Sequence, residues 1–153
     1  MTLSVPIRGR DDLRLARLML DVNGTLTNRS DPIDGAEGWL SRLRDVLDNK
    51  PVSADTWEAV DAIALCLRDD TVRTPSEADK LWAADMLGRE HCALIGNGAN
   101  DVLVLDAATR GFAVFGAEGT CAAASRAADV ACASAADPDL LLGPKALAAT
   151  LRP

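Results

Sequence analysis

In the stretch Leu18-Met19-Leu20-Asp21-Val22-Asn23-Gly24-Thr25-Leu26-Thr27, an apolar run stops at a carboxylate and gives way to a glycine turn. An unbroken apolar run marks a central strand buried on both faces, as in parallel sheets, with the acid presented at its C-terminal edge. A second stretch has the same form: Ala93-Leu94-Ile95 leads into Gly96-Asn97-Gly98-Ala99-Asn100-Asp101. Ligands of open α/β sheets bind beyond the carboxyl ends of the strands, so both stretches put polar residues where a ligand would sit. Taken singly, the first is equally a strand–turn hairpin, because Asn-Gly is a common turn dipeptide. The second, taken singly, is an Asx-rich helix start.

Upstream, Leu3, Val5 and Ile7 alternate with Ser4, Pro6 and Arg8, the cluster Gly9-Arg10-Asp11-Asp12 interrupts, and Leu13 and Leu15 resume the alternation. This predicts a β-hairpin whose second strand runs on to Asp21. Downstream, apolar spacing predicts helices over 35–48, over 56–67 with Asp55 as N-cap, and over 76–87 between Thr74-Pro75-Ser76 and Gly88. A buried strand over 91–95, a helix over 100–108, a strand over 111–115, a helix over 119–127, a strand over 129–132 and a closing helix over 138–151 follow. Two further strands, near 51–53 and 71–72, are short and polar. Strands alternating with helices of this length predict an α/β fold, a mostly parallel sheet covered by helices on both faces. At 153 residues the chain reads as one domain, 1–153.

Composition narrows the function. The net charge is −7 and no Lys/Arg cluster supplies a basic face, which disfavours nucleic acid and anionic membranes as partners. Aromatics are 3% of residues and Tyr is absent, so a base-stacking platform is also disfavoured. No stretch approaches the roughly 18 apolar residues of a membrane span, and the N-terminus lacks a signal-peptide pattern, so a cytoplasmic protein is expected. Cys66, Cys92, Cys121 and Cys132 form no CxxC pair and His91 is the one histidine, so no zinc site is spelled out and reduced thiols are expected. The chain has three lysines, Lys50, Lys80 and Lys145.

In combination, in this order and 80 residues apart from Asp21 to Asp101, the two polar clusters resemble motifs one and four of the haloacid-dehalogenase (HAD) superfamily of phosphatases and phosphotransferases. Ser53, in Val52-Ser53-Ala54-Asp55-Thr56, is similar to the motif-two hydroxyl, and Lys80, in Glu77-Ala78-Asp79-Lys80, to the motif-three lysine. The resemblance covers the chain from about Ser4 to its end. It is nearest to the small capless branch labelled soluble P-type-ATPase-like, with no transport activity implied. It implies a Rossmann-like three-layer α/β/α sandwich with the N-terminal hairpin added and no cap domain. It also implies that Asp21 is a nucleophile forming an aspartyl-phosphate and a ligand of Mg²⁺, with the Asn23 carbonyl as second ligand. Thr25, Ser53 and Lys80 would bind phosphate. Asn97 and Asp101 would face the metal, directly or through water, with Asn100, Gly24 and Gly96 supporting the loops. The implied partner is a phosphorylated substrate, small or macromolecular, and a capless site invites closure by a homo-oligomer formed through the N-terminal hairpin.

Two residues depart from the superfamily's pattern. Asn23 stands where its phosphatases carry an acid/base Asp, and an amide cannot exchange that proton. General acid–base catalysis is typically worth 10²–10⁴-fold, so a slow enzyme is expected unless Asp31, Asp34 or Asp55 substitutes. Asn97 stands where a metal-binding Asp is usual, which lowers the charge offered to a cation. These departures support a competing reading, a non-catalytic phosphate-binding or regulatory module with a degraded site. The survival of Asp21, Lys80 and Asp101 supports the Mg²⁺-dependent hydrolase.

Overall fold

The computed structural model describes residues 1–29, 31–54, 71–135 and 144–153. In chain order the elements are β1 (Leu3–Val5), β2 (Leu13–Leu15), β3 (Arg17–Asp21), β4 (Thr27–Asn28), β5 (Asp31–Pro32) and α1 (Ala36–Arg44). Then come β6 (Asp48–Ser53), β7 (Val72–Arg73), α2 (Glu77–Leu87), β8 (Cys92–Gly96), α3 (Val102–Ala107), β9 (Arg110–Val114), α4 (Ala122–Ala127), β10 (Val130–Cys132) and α5 (Pro144–Leu151). The expected helix over 56–67, Asp55, Cys66 and the start of the closing helix lie outside the described residues.

Six strands form one sheet in the order β10-β9-β8-β3-β6-β7, and every pairing in it is parallel. The predicted central strand is β3, flanked by β8 and β6. Its side chains alternate between two cores. Leu18 and Leu20 join Trp39, Leu40 and Leu43 of α1 and Leu147 and Leu151 of α5 on one face. On the other face, Met19 joins Ala83 and Ala84 of α2, Val104 and Leu105 of α3 and Ala124 of α4. Helices thus cover both faces, giving the expected three-layer α/β/α fold.

The N-terminal hairpin forms as expected, with Leu3 opposite Leu15 and Val5 opposite Leu13. Its second strand does not run on to Asp21. The chain breaks at Ala16, whose N–H donates to the His91 carbonyl and whose carbonyl accepts from the Asp48 N–H. The hairpin is therefore a separate two-stranded sheet, and Val5, Ile7, Leu13 and Leu15 are buried in the α1–α5 core.

The expected helix over 35–48 stops at Arg44, because the amides of Asp45, Val46 and Leu47 turn back onto the carbonyls of Arg42 and Leu43. Asp48 instead begins β6, which is longer than the strand expected near 51–53 and pairs with β3 from Arg17–Asp48 to Asp21–Val52. Pro51, which has no N–H to give a ladder, precedes the pairing with β7 at Val52 and Ser53. The antiparallel pair β4–β5 is a feature the sequence reading lacked.

Candidate active site

Register alone brings the separated motifs to one edge. Asp21 ends β3 opposite Val52, so Ser53 lies one residue further along β6. Leu20 is opposite Ile95, which puts Gly96 level with Asp21. Successive connections run outward to β6 and β7 on one side and to β9 and β10 on the other. The crevice between β3 and β8 is the topological switch point, where such sheets bind ligands.

Lys80 reaches this edge from α2, and its placement is set by local chemistry. Ser76 caps the helix, accepting from the Asp79 N–H at 3.2 Å, while the Asp79 carboxylate accepts from the Ser76 N–H at 3.0 Å. That capping box fixes the helical phase so that Lys80, Ala83 and Ala84, spaced i, i+3, i+4, face the sheet. Gly88 closes the helix in the left-handed conformation.

The Lys80 ammonium donates to Asp21 Oδ1 at 2.8 Å and to Asp101 Oδ1 at 2.5 Å. Lys80 and Asp101 are 0% exposed and Asp21 5%. Burial, reinforced by repulsion from Asp101, pushes the Asp21 carboxyl up to about 7 against the opposing pull of Lys80 and Thr25. Burial alone would lower the Lys80 ammonium, but the two carboxylates outweigh it and hold its affinity for protons above the usual range. Asp101 is held in turn: its Oδ2 accepts from the N–H groups of Asn97, at 2.9 Å, and Gly98, at 2.8 Å. Both carboxylate oxygens of Asp101 are therefore engaged by the protein. Gly96 permits this, since a Cβ there would stand 2.5 Å from the Asp101 carboxyl carbon.

The turns are tighter than a cradle of free amides. The N–H groups of Thr25, Leu26 and Thr27 all donate to the Val22 carbonyl, closing the 22–27 turn on itself. The Thr25 hydroxyl donates to Asn97 Oδ1 at 3.3 Å. The Asn97 Nδ2 donates to the Gly119 carbonyl at 3.0 Å. Asn23 is half-buried and bridged to Thr27, Ser53 is buried, and the Asn100 side chain folds over Gly98. Asp31 and Asp34 are exposed.

The expected helix over 119–127 begins late, and the segment from Gly116 to Thr120, to which the sequence assigns no role, forms a turn at the site. Gly119 lies at φ 83 in a turn closed onto Gly116, and α4 begins only at Ala122. Together with the β4–β5 turn this segment walls an open cleft of about 500 Å³ lined by Asn28, Arg29, Ala117 and Glu118. Glu118 Oε1 accepts from the Arg29 N–H at 2.6 Å, and Arg29 itself has φ 49, left-handed for a residue with a side chain. The paired glycines at 116 and 119 were the available signal.

No protein-family model matches the sequence, and no curated protein matches it. Solved structures do match. A HAD superfamily (subfamily III A) protein of Legionella pneumophila superposes with a TM-score of 0.68 at 16% identity, over 90% of this chain and 87% of that one. The chain has the HAD fold. The 3-deoxy-D-manno-octulosonate 8-phosphate phosphatase of Moraxella catarrhalis, solved with magnesium, phosphate and KDO, shares this HAD fold with a TM-score of 0.67 at 17% identity, covering 90% and 94% of the two chains. A zinc-transporting PIB-type ATPase in its E2.Pi state matches at 27% identity and a TM-score of 0.63, over 78% of this chain but 20% of the transporter.

A cation site can be tested on the donor set. Among the described residues no three His, Cys, Asp or Glu side chains gather as a metal cluster. The candidate oxygens at the edge are the Asp21 carboxylate and the Asn23 carbonyl, with the Asn97 amide oxygen turned toward the Thr25 hydroxyl. That set is all oxygen and low in charge. It fits Mg²⁺, which takes one or two carboxylates and fills its octahedron with water and phosphate oxygens.

Proposed function

We propose that this chain is a slow, Mg²⁺-dependent HAD-type phosphatase or phosphotransferase acting on a phosphate ester or anhydride through Asp21. The observation that carries the reading is the buried Asp21–Lys80–Asp101 triad at the carboxyl edge of β3 and β8. A carboxylate oxygen of Asp21 adds to phosphorus, the bond to the leaving oxygen breaks, and that oxygen takes its proton from solvent, because the Asn23 amide has none to give. Water then adds to the phosphorus, inorganic phosphate departs and the carboxylate returns.

Lys80 balances the charge on the equatorial phosphoryl oxygens, held in place by Asp101 so that no reorganisation is needed at the moment of transfer. Thr25 and Ser53 supply hydroxyls for the same oxygens. Asp21 and the Asn23 carbonyl would hold Mg²⁺, with Asn97 reaching it through water, Asp101 facing it from behind Lys80, and Asn100, Gly24 and Gly96 shaping the loops. The ion would supply further shielding of phosphoryl charge. The metal-bound and phosphate-bound phosphatase among the structural matches supports this reading.

The cleft beside Arg29 and Glu118 would take the leaving group of a phosphorylated small molecule. Assembly through the hairpin would use its polar face, including Ser4, Arg14 and the Gly9–Asp12 turn, because the alternate side chains are buried within the chain. A cytoplasmic location is supported by the free thiols of Cys92 and Cys121. Among the described residues no helix is long and apolar enough to cross a membrane.

The full commitment of Asp101 to Lys80 and the loop amides favours a second reading, a phosphate-binding module without turnover. Hydrolysis of p-nitrophenyl phosphate with Mg²⁺ and with EDTA, in wild type and Asp21→Asn, separates the two. Weak, Mg²⁺-dependent activity that disappears in Asp21→Asn is expected. No turnover in wild type, with phosphate still raising its melting temperature, would establish the module instead.

A further inference from the structure

We propose that Asn97 is a positioning residue, a clasp joining three loops at the carboxyl edge, rather than a direct ligand of the cation. The clasp stands on geometry alone; its bearing on the cation rests on the reading above.

The Asn97 amide lies between three segments. Its Nδ2 donates to the Gly119 carbonyl and its Oδ1 faces the Thr25 hydroxyl, while its own carbonyl accepts from the Cys121 N–H at 2.8 Å. The orientation of the amide is not arbitrary. A backbone carbonyl can only accept, so the nitrogen must face Gly119, and the oxygen is thereby turned toward Thr25. The seat is shaped for it: a Cβ on Gly24 would stand 2.4 Å from Asn97 Nδ2, and one on Gly116 would stand 3.2 Å from the Gly24 carbonyl oxygen. Glycine at both positions lets the 22–27 turn and the Gly116–Thr120 segment close onto the amide.

A carboxylate could not do this work. In Asn97→Asp, an oxygen would face the Gly119 carbonyl oxygen, and a third negative charge would join Asp21 and Asp101 at the same edge. The clasp also reaches the mouth of the cleft. The segment it holds carries Ala117 and Glu118, and Glu118 in turn anchors the Arg29 N–H. Asparagine at this position therefore fixes the wall against which a leaving group would rest.

The test compares wild type, Asn97→Asp and Asn97→Ala by thermal melting in EDTA and in saturating Mg²⁺, with amide exchange read at Cys121. In EDTA both variants are expected to melt about 2–6 °C below wild type, the loss expected for one hydrogen bond and its neighbours in a chain of this size. Exchange at Cys121 should quicken about tenfold in both. Mg²⁺ should raise the melting temperature of Asn97→Ala by about as much as that of wild type. Unchanged melting of either variant in EDTA would overturn the clasp, and a Mg²⁺ shift lost in Asn97→Ala would show Asn97 to be a direct ligand. None of these readouts needs turnover, so failure of the phosphotransfer reading would leave them interpretable.

Discussion

Lys80 and Asp101 make a contact of 2.5 Å that solvent does not reach, and the far side of the Asp101 carboxylate is closed by two backbone amides. The lysine is thus aimed at Asp21 by a partner that is itself immobilised. Breaking a buried pair by removing one member leaves an uncompensated charge, which costs far more than a surface ion pair contributes.

Lys80→Met should therefore lower the unfolding free energy by about 3–5 kcal/mol at neutral pH, measured by urea denaturation. Without the ammonium, the folded variant retains a proton on Asp21 that the unfolded chain has released. Its folded state then binds more protons, so its deficit should shrink as the pH falls toward about 5. A loss below about 1 kcal/mol at neutral pH would mean that the triad is solvated rather than buried.

Asn23→Asp restores an exchangeable proton beside the nucleophile. If acid–base chemistry is the step this site lacks, steady-state hydrolysis of p-nitrophenyl phosphate should rise by about 10²-fold or more. An unchanged rate, with Asp21→Asn still inactive, would place the limit elsewhere, in cation binding or product release.

Two glycine replacements should move stability in opposite directions. Gly96→Ala sets a methyl 2.5 Å from the Asp101 carboxyl and should cost about 1–3 kcal/mol, with loss of any phosphatase activity. Gly38→Ala, in α1 with nothing near the new methyl, should stabilise by about 0.5–1 kcal/mol. Equal effects of the two in a denaturant titration would contradict the packing described around Asp101.

The N-terminal hairpin is part of the core rather than an appendage. Leu15→Ala should cost about 2–5 kcal/mol in denaturant titration, the range for a buried leucine whose site cannot collapse. A cost under about 1 kcal/mol would mean that the hairpin is detachable.

Much of the site is legible in the sequence because its positions follow from strand ends. An apolar run that stops at Asp21, and another that stops at Gly96, place their polar followers at one sheet edge before any contact is known. Lys80 is legible because Ser76 and Asp79 announce the start of its helix. What the sequence does not disclose is how hydrogen bonds are spent. Nothing local shows that Asp101 turns both oxygens inward, or that the amides of the 22–27 turn satisfy the Val22 carbonyl. The beginning of β6 is hidden for a different reason. Asp48, Asn49 and Lys50 are poor strand formers, and they are extended only because β3 offers them a ladder. Gly119 and Thr120 pass for a helix start because the turn they belong to is held by Asn97 and packed against Gly24, residues far away in the chain.

The depth of Lys80 also governs how the site responds to its medium. Counterions weaken exposed pairs such as Arg17–Asp48 and Arg89–Asp85, whose side chains are about half open to solvent. They screen far less an ammonium that is buried at the sheet edge and already paired with two carboxylates. The positive charge at the centre of the site is built in rather than borrowed from solution, and its strength should be nearly the same in dilute buffer and in concentrated brine.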